Sequence, residues 1–122
     1  MKIQERMLND VVLLDLSGSF VIGEDGEFKH LVATKIKAGS RKLIVNLAKV
    51  GHMDSSGLGE LIAGYIAMQR AKGQIKLLNV NNRLNDLLIT TKLITVFETF
   101  DSESAAISSF ITELKGSDQV SQ

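Results

Sequence analysis

The residues that could do chemistry in this 122-residue chain gather in one stretch, Met53-Asp54-Ser55-Ser56-Gly57-Leu58-Gly59. An aspartate just ahead of a helical apolar pattern is a good N-cap, because its carboxylate accepts from the unpaired N–H groups of the first turn. Met53 and Leu58 stand at the spacing of a hydrophobic staple across that cap. With Asp54 as cap, Ser55 and Ser56 take the first two helical positions. The positive end of a helix favours an anion, so a serine hydroxyl there is a reasonable phosphate acceptor. Phosphorylation would add a charge of about −1.5 to −2, which Asp54 would repel. The larger effect should fall on a partner surface fitted to a neutral serine, with binding lost and the fold kept. The plainer reading is that both serines only help to cap the helix. Spacing alone leaves the two readings open.

Gly57 and Gly59 fall inside the first turn and a half, where each costs about 1 kcal/mol relative to alanine. Two such losses call for a close backbone approach, either by the protein's own sheet or by a partner. Gly64 lies on nearly the same face as Gly57. His52, Asp54 and Ser55 invite a hydrolase reading, but residues so close in sequence rarely give a triad's geometry, and no Gly-x-Ser-x-Gly elbow is present. His30 and His52 read as surface or packing histidines. The chain has no Walker-type phosphate loop and no metal-ligand cluster. The expectation is a protein that is not an enzyme and holds no cofactor of its own.

The elements that must position this stretch follow from periodicity. Ile3 to Leu8 and Val11 to Leu16 flank Asn9-Asp10 as strand, turn and strand. Ser17-Gly18-Ser19 breaks that pattern. Phe28, Leu31, Val32 and Ile36 mark one helix face, closed at Gly39. Lys42 to Leu47 is a near-continuous apolar run, as in a central parallel strand covered on both sides. After a turn around Gly51 come Leu58, Leu61, Ile62, Tyr65 and Met68 at helical spacing, closed at Gly73. Ile75 to Val80 predicts a strand, Leu84, Leu87 and Leu88 a helix, and Ile94 to Phe100 a weaker strand. Ala105, Ala106, Phe110, Ile111 and Leu114 predict a last helix with Asp101-Ser102 as caps. The result is an α/β fold, a mainly parallel four- to five-stranded sheet with an N-terminal antiparallel hairpin and about four helices. The domain is expected over residues 1–114, with a flexible tail at 115–122.

Composition narrows the function further. Hydrophobic residues make up 44% and charged residues 23%, which suits one ordinary globular domain. Fourteen basic and fourteen acidic residues cancel without any basic block, and aromatics are only 5%, so nucleic-acid binding is not expected. There is no cysteine, no signal-peptide pattern and no apolar run of membrane-spanning length. A cytoplasmic protein, monomeric when free, is the expectation.

Met53-Asp54-Ser55-Ser56-Gly57-Leu58-Gly59 resembles the signature of the STAS-domain anti-sigma factor antagonists. The likeness extends to Gly18 after the hairpin, the Leu43 to Leu47 strand, Gly73 before Ile75-Lys76-Leu77-Leu78, and Leu93 to Phe97. The resemblance implies a single STAS-like domain in which Ser55 is the phosphorylated residue. It further implies that Asp54, Ser55, Ser56, Gly57, Leu58 and Gly59 form the partner-facing centre. The implied partner is an anti-sigma factor serine kinase of the histidine-kinase-like ATPase fold, bound by the unphosphorylated form so that sigma factor is released. Phosphorylation would end that binding and a PP2C-type phosphatase would restore it, with ATP and metal belonging to those enzymes. The chain departs from the family pattern at Val21, where an acid is common, although Glu24, Asp25 and Glu27 follow. STAS domains also resemble modules of stress-signalling scaffolds, anion transporters and phospholipid-transport complexes, in which no phosphorylation switch need operate.

Overall fold

A computed structural model describes residues 1–20 and 26–120 of the chain, with side chains described as far as Ile111. Five strands form one sheet in the order β1-β2-β3-β4-β5. They are β1 (Lys2–Leu8), β2 (Val11–Phe20), β3 (Lys42–Met53), β4 (Gln74–Leu78) and β5 (Thr99–Phe100). β1 pairs antiparallel with β2, and every later pairing is parallel. The helices are α1 (Glu27–Lys37), α2 (Ser55–Arg70), α3 (Asn82–Thr90) and α4 (Glu103–Val120). Strand order that follows chain order, joined by right-handed crossovers, places successive connecting helices on one face of a sheet. α1, α2 and α3 do share one face.

That face holds the larger core. Val12, Leu14 and Leu16 of β2, with Leu43, Val45 and Leu47 of β3, meet Phe28 and Val32 of α1, Leu58, Leu61 and Met68 of α2, and Leu84 and Leu88 of α3. The opposite face holds a smaller cluster, where Val11, Leu13, Ile44 and Leu78 meet Ala106 and Phe110 of α4. β2 and β3 are therefore apolar on both sides, as their near-continuous apolar runs predict. Gly64 lets α1 and α2 close up, since a β-carbon there would stand 2.8 Å from the Phe28 ring.

The structure differs from the sequence expectation in four places. β2 continues through Ser17-Gly18-Ser19 to Phe20, with Gly18 at φ +101° and a register shift on either side of Ser17-Gly18. β3 continues past Leu47 and through Gly51, because Lys49 to Met53 pair with Ser17 to Phe20. The weaker strand at Ile94 to Phe100 is a 3-10 turn at Leu93–Thr95 followed by the two-residue β5. Lys92 enters that turn in the left-handed region, and Phe97 fills the core instead of pairing. The backbone of α4 is helical to Val120, past the expected domain end at 114, while residues 121–122 and Val21, Glu24 and Asp25 lie outside the described residues.

Where α4 leaves the second face open, polar side chains replace the core. Asp15 of β2 accepts from Arg6 Nε at 2.6 Å, Arg6 Nη2 at 3.0 Å and Asn46 Nδ2 at 2.8 Å. Arg6 also reaches Glu103 of α4 at 2.6 Å. Lys76 is the one charged side chain buried among the described residues; its Nζ donates to Ser109 Oγ at 2.8 Å and sits 4.3 Å above the Phe110 ring. On the other face, Lys35 of α1 pairs with Glu5 of β1.

The Arg6 hydrogen bonds hold the Asp15 carboxyl below its ordinary value of 3.8, against the opposing effect of burial. A carboxyl whose folded value is depressed stabilises the fold above its unfolded value, and that contribution fades as pH falls through the folded value. The melting temperature should therefore drop on acidification below about pH 4. Thermal melts across that range should show a shallower drop for Asp15→Asn than for the native chain.

Candidate functional site

α2 begins where the far ends of β2 and β3 converge. Asp54 leaves β3 in an extended conformation, at φ −97° and ψ −176°, and its Oδ1 accepts from Gly57 N–H at 2.9 Å. Its own N–H donates to the Phe20 carbonyl at 3.4 Å, and its carbonyl accepts from Leu58 N–H at 3.0 Å. The cap therefore ties α2 to the last residue of β2. Met53 packs on the larger core and Leu58 belongs to it, so the chain is anchored by apolar contacts on both sides of the cap.

The six residues of the expected partner-facing centre divide into two groups. Ser55, Ser56 and Gly59 are exposed, and Asp54 is half-buried. Gly57 and Leu58 are buried and face the protein itself. Both were expected at the partner-facing centre, and within the chain they pack inward. A β-carbon on Gly57 would collide with the Phe20 carbonyl, standing 2.7 Å from its carbon, so the glycine is required by the sheet. Leu58 is 5% exposed and fills the core. Gly59 is the opposite case, because a β-carbon there would meet nothing within 4 Å. It carries the helix penalty of glycine with no packing reason inside the fold.

Ser55 thus presents its hydroxyl at the first position of a capped helix. Its own N–H and that of Ser56 belong to the first turn, beyond reach of any helix carbonyl. The Asp54 carboxylate caps the helix through Gly57 N–H. His52 is exposed at the end of β3, and His30 is exposed on α1. No group of three or more His, Cys, Asp or Glu among the described residues is arranged to hold a metal.

The sequence does not single out a groove beside this site. It measures about 250 Å³ and lies between the end of β3 and α3, lined by His52, Met53, Arg83, Leu84, Asp86 and Leu87 among others. Asn81 builds its far wall, capping α3 through Leu84 N–H at 2.8 Å and reaching the Val50 carbonyl at 3.4 Å. The legible signal was Asn81 as a cap with Arg83 in the turn that follows. The contact with β3 has no local trace.

The family model of the STAS domain matches residues 2–106. Several solved structures share the fold. A Thermotoga maritima protein named as an anti-sigma factor antagonist aligns at 23% identity over 88% of this chain and 92% of its own, with a TM-score of 0.82. The Bacillus cell-fate determinant SpoIIAA in its phosphorylated form aligns at 21% identity over 89% and 99%, with a TM-score of 0.72. A sulfate transporter family protein from Wolinella succinogenes aligns at 18% identity over 90% and 92%, with a TM-score of 0.76. No curated protein matches the chain by sequence comparison. Among the described residues no helix is long and apolar enough to cross a membrane.

The two glycines make opposite predictions. Gly57→Ala should destabilise the protein by about 3 kcal/mol, the upper end of overpacking costs, because the obstacle is backbone. Gly59→Ala should stabilise it by up to about 1 kcal/mol. Urea titrations followed by circular dichroism measure both, and equal effects would mean that Gly57 does not seat against β2. The matched span, the strand order and the capped serine at the head of α2 together place the chain in one family: it belongs to the STAS domain proteins.

Proposed function

We propose that this protein is a cytoplasmic anti-sigma factor antagonist, monomeric when free and without catalytic activity or a cofactor of its own. Its unphosphorylated form binds an anti-sigma factor serine kinase of the histidine-kinase-like ATPase fold, and sigma factor is released. The kinase phosphorylates Ser55 and is thereby shed; a PP2C-type phosphatase resets the switch. The observation that carries this reading is Ser55 itself, exposed at the first position of α2 and followed one turn later by the open Gly59. The neighbours named as antagonists support it at the level of the fold.

On this reading the switch acts on the partner and leaves the fold unchanged. Asp54 is held on Gly57 N–H, so a phosphate on Ser55 gains little from the helix end and is repelled by the neighbouring carboxylate. The fold has no ready-made reason to rearrange around it. A partner packed against Ser55, Ser56 and Gly59 instead meets a desolvated dianion, and binding fails. Gly59 marks the point of closest approach, since its missing side chain leaves space on the outside only.

A second reading has one observation in its favour, the likeness to a sulfate transporter family protein. On that reading the chain is a STAS interaction module of a stress-signalling scaffold or of a phospholipid-transport complex, and Ser55 is no switch.

Paired affinity baits from the native host separate the two. Ser55→Ala should retain an ATPase of the histidine-kinase-like fold in the presence of ATP, and Ser55→Asp should lose it while keeping a native circular dichroism spectrum. Retention of the same scaffold or transport partner by both baits would replace the switch with the module. A steric probe belongs at Gly59: Gly59→Val should weaken kinase binding at least about tenfold, or roughly 1.4 kcal/mol, in a calorimetric titration. Undiminished affinity would put the interface elsewhere.

A further inference from the structure

A second polar site lies on the α4 side of the sheet, on the other face from α1, α2 and α3. A pocket of about 370 Å³ opens there, lined by Lys2, Gln4, Arg6, Asp15, Ser17 and Lys49 among others. Strand register sets these side chains in rows. Lys2 stands opposite Ser17, and Ser17 opposite Lys49; the next row is Gln4, Asp15 and Asn46. Adjacent strands are about 4.8 Å apart, so the Lys2 and Lys49 backbones flank Ser17 at a separation of about 10 Å.

Lys49 reaches this row only through an irregularity. Alternation along β3 from Asn46 would turn Ala48 toward the pocket and Lys49 toward the larger core. Between Asp15 and Ser17 the register shifts, and β3 takes up one residue more than β2. Asn46 Oδ1 fastens the bulge by accepting from Ala48 N–H at 3.1 Å. Leu47 and Val50 then both enter the larger core, and Lys49 is carried to the pocket side. Bulges often re-aim a side chain at a functional site.

The charges in the pocket do not balance. Asp15 is already held by Arg6 and Asn46, and Arg6 is shared with Glu103. Among the described residues no ion pair or side-chain hydrogen bond engages Lys2 or Lys49. Lys2 and Lys49 thus line the pocket on either side of Ser17, and among the described lining residues the single carboxylate, Asp15, on which Lys49 also acts, faces three cations, an excess that an added anion relieves. No aromatic side chain lines the pocket, so a nucleotide base would find no stacking surface.

We propose that this pocket binds a phosphate group, gripped by Lys2 and Lys49 with the Ser17 hydroxyl as a further donor. The group recognised is the phosphate itself, carried either by a small soluble molecule or by a lipid headgroup. This site is separate from Ser55 and does not depend on the switch.

Pyrophosphate titrated into the labelled full chain tests the soluble source, read by amide chemical shifts. Co-sedimentation with vesicles containing phosphatidic acid tests the headgroup. Shifts confined to β1, β2 and the Asn46–Val50 bulge are expected with pyrophosphate, or sedimentation with the vesicles. Lys49→Ala and Lys2→Ala should each weaken the binding about tenfold, the loss expected of one charge-assisted hydrogen bond. Lys37→Ala, an exposed lysine at the end of α1, should leave it unchanged. Binding of neither probe overturns the proposal, as does an equal loss in Lys37→Ala, which would reduce the effect to diffuse surface charge.

Discussion

The structure hinges on a contact between two stretches of backbone. At the head of α2 the Gly57 α-carbon lies so close to the Phe20 carbonyl that no side chain fits between them. The Asp54 N–H points at the same carbonyl, and the Asp54 carboxylate closes the first turn. One oxygen at the end of β2 therefore fixes where α2 starts, and the cap fixes how it is oriented. Leu58, Leu61 and Met68 then fall onto the larger core, and Gly64 brings α2 against Phe28 and Val32 of α1. Ser55 and Ser56 are what remains outside when those constraints are met. The exposed serine is held in place by its buried neighbours.

The sheet's two faces are stabilised differently. Three helices cover one side with aliphatic and aromatic packing. A single helix covers the other over β3, β4, β5 and the start of β2, with Lys76 buried beneath it against Ser109 and Phe110. A buried ammonium is costly unless its hydrogens are taken, and here a hydroxyl and an aromatic face take them. Over the rest of that face Arg6, Asp15 and Asn46 cover the strands with mutual hydrogen bonds, and Glu103 ties them to the start of α4. No further helix covers this part of the face among the described residues, and a polar pocket opens there.

Much of this was legible in the sequence, and what was not shares a cause. The apolar run from Leu43 to Leu47 announces a two-sided strand, and the spacing of Leu58, Leu61 and Met68 announces α2, because burial leaves a local period. Asp54 announces a cap by its type and place. The extension of β3 through Gly51 leaves no such trace: Ala48, Lys49, Gly51 and His52 are exposed, and only pairing with Ser17 to Phe20 makes them a strand. The roles of Gly57 and Gly59 could not be told apart either. Both break the helix rule equally, and only the distant Phe20 shows that one serves the sheet. Arg6, Asp15 and Asn46 look like ordinary polar residues on three strands until register brings them together.

The margins of the sheet bear on how the protein can meet others. β5 contributes two residues to one margin, too few for another chain to extend. β1 forms the opposite margin with Lys2, Glu5 and Arg6 spaced along it, and charges so placed oppose the docking of a further strand. Main-chain zippering, the commonest way for one open sheet to recruit another, has little to grip at either end. Among the described residues, strand-to-strand stacking of crowded copies is thereby disfavoured at both margins, and recognition shifts to side chains on helix ends and sheet faces.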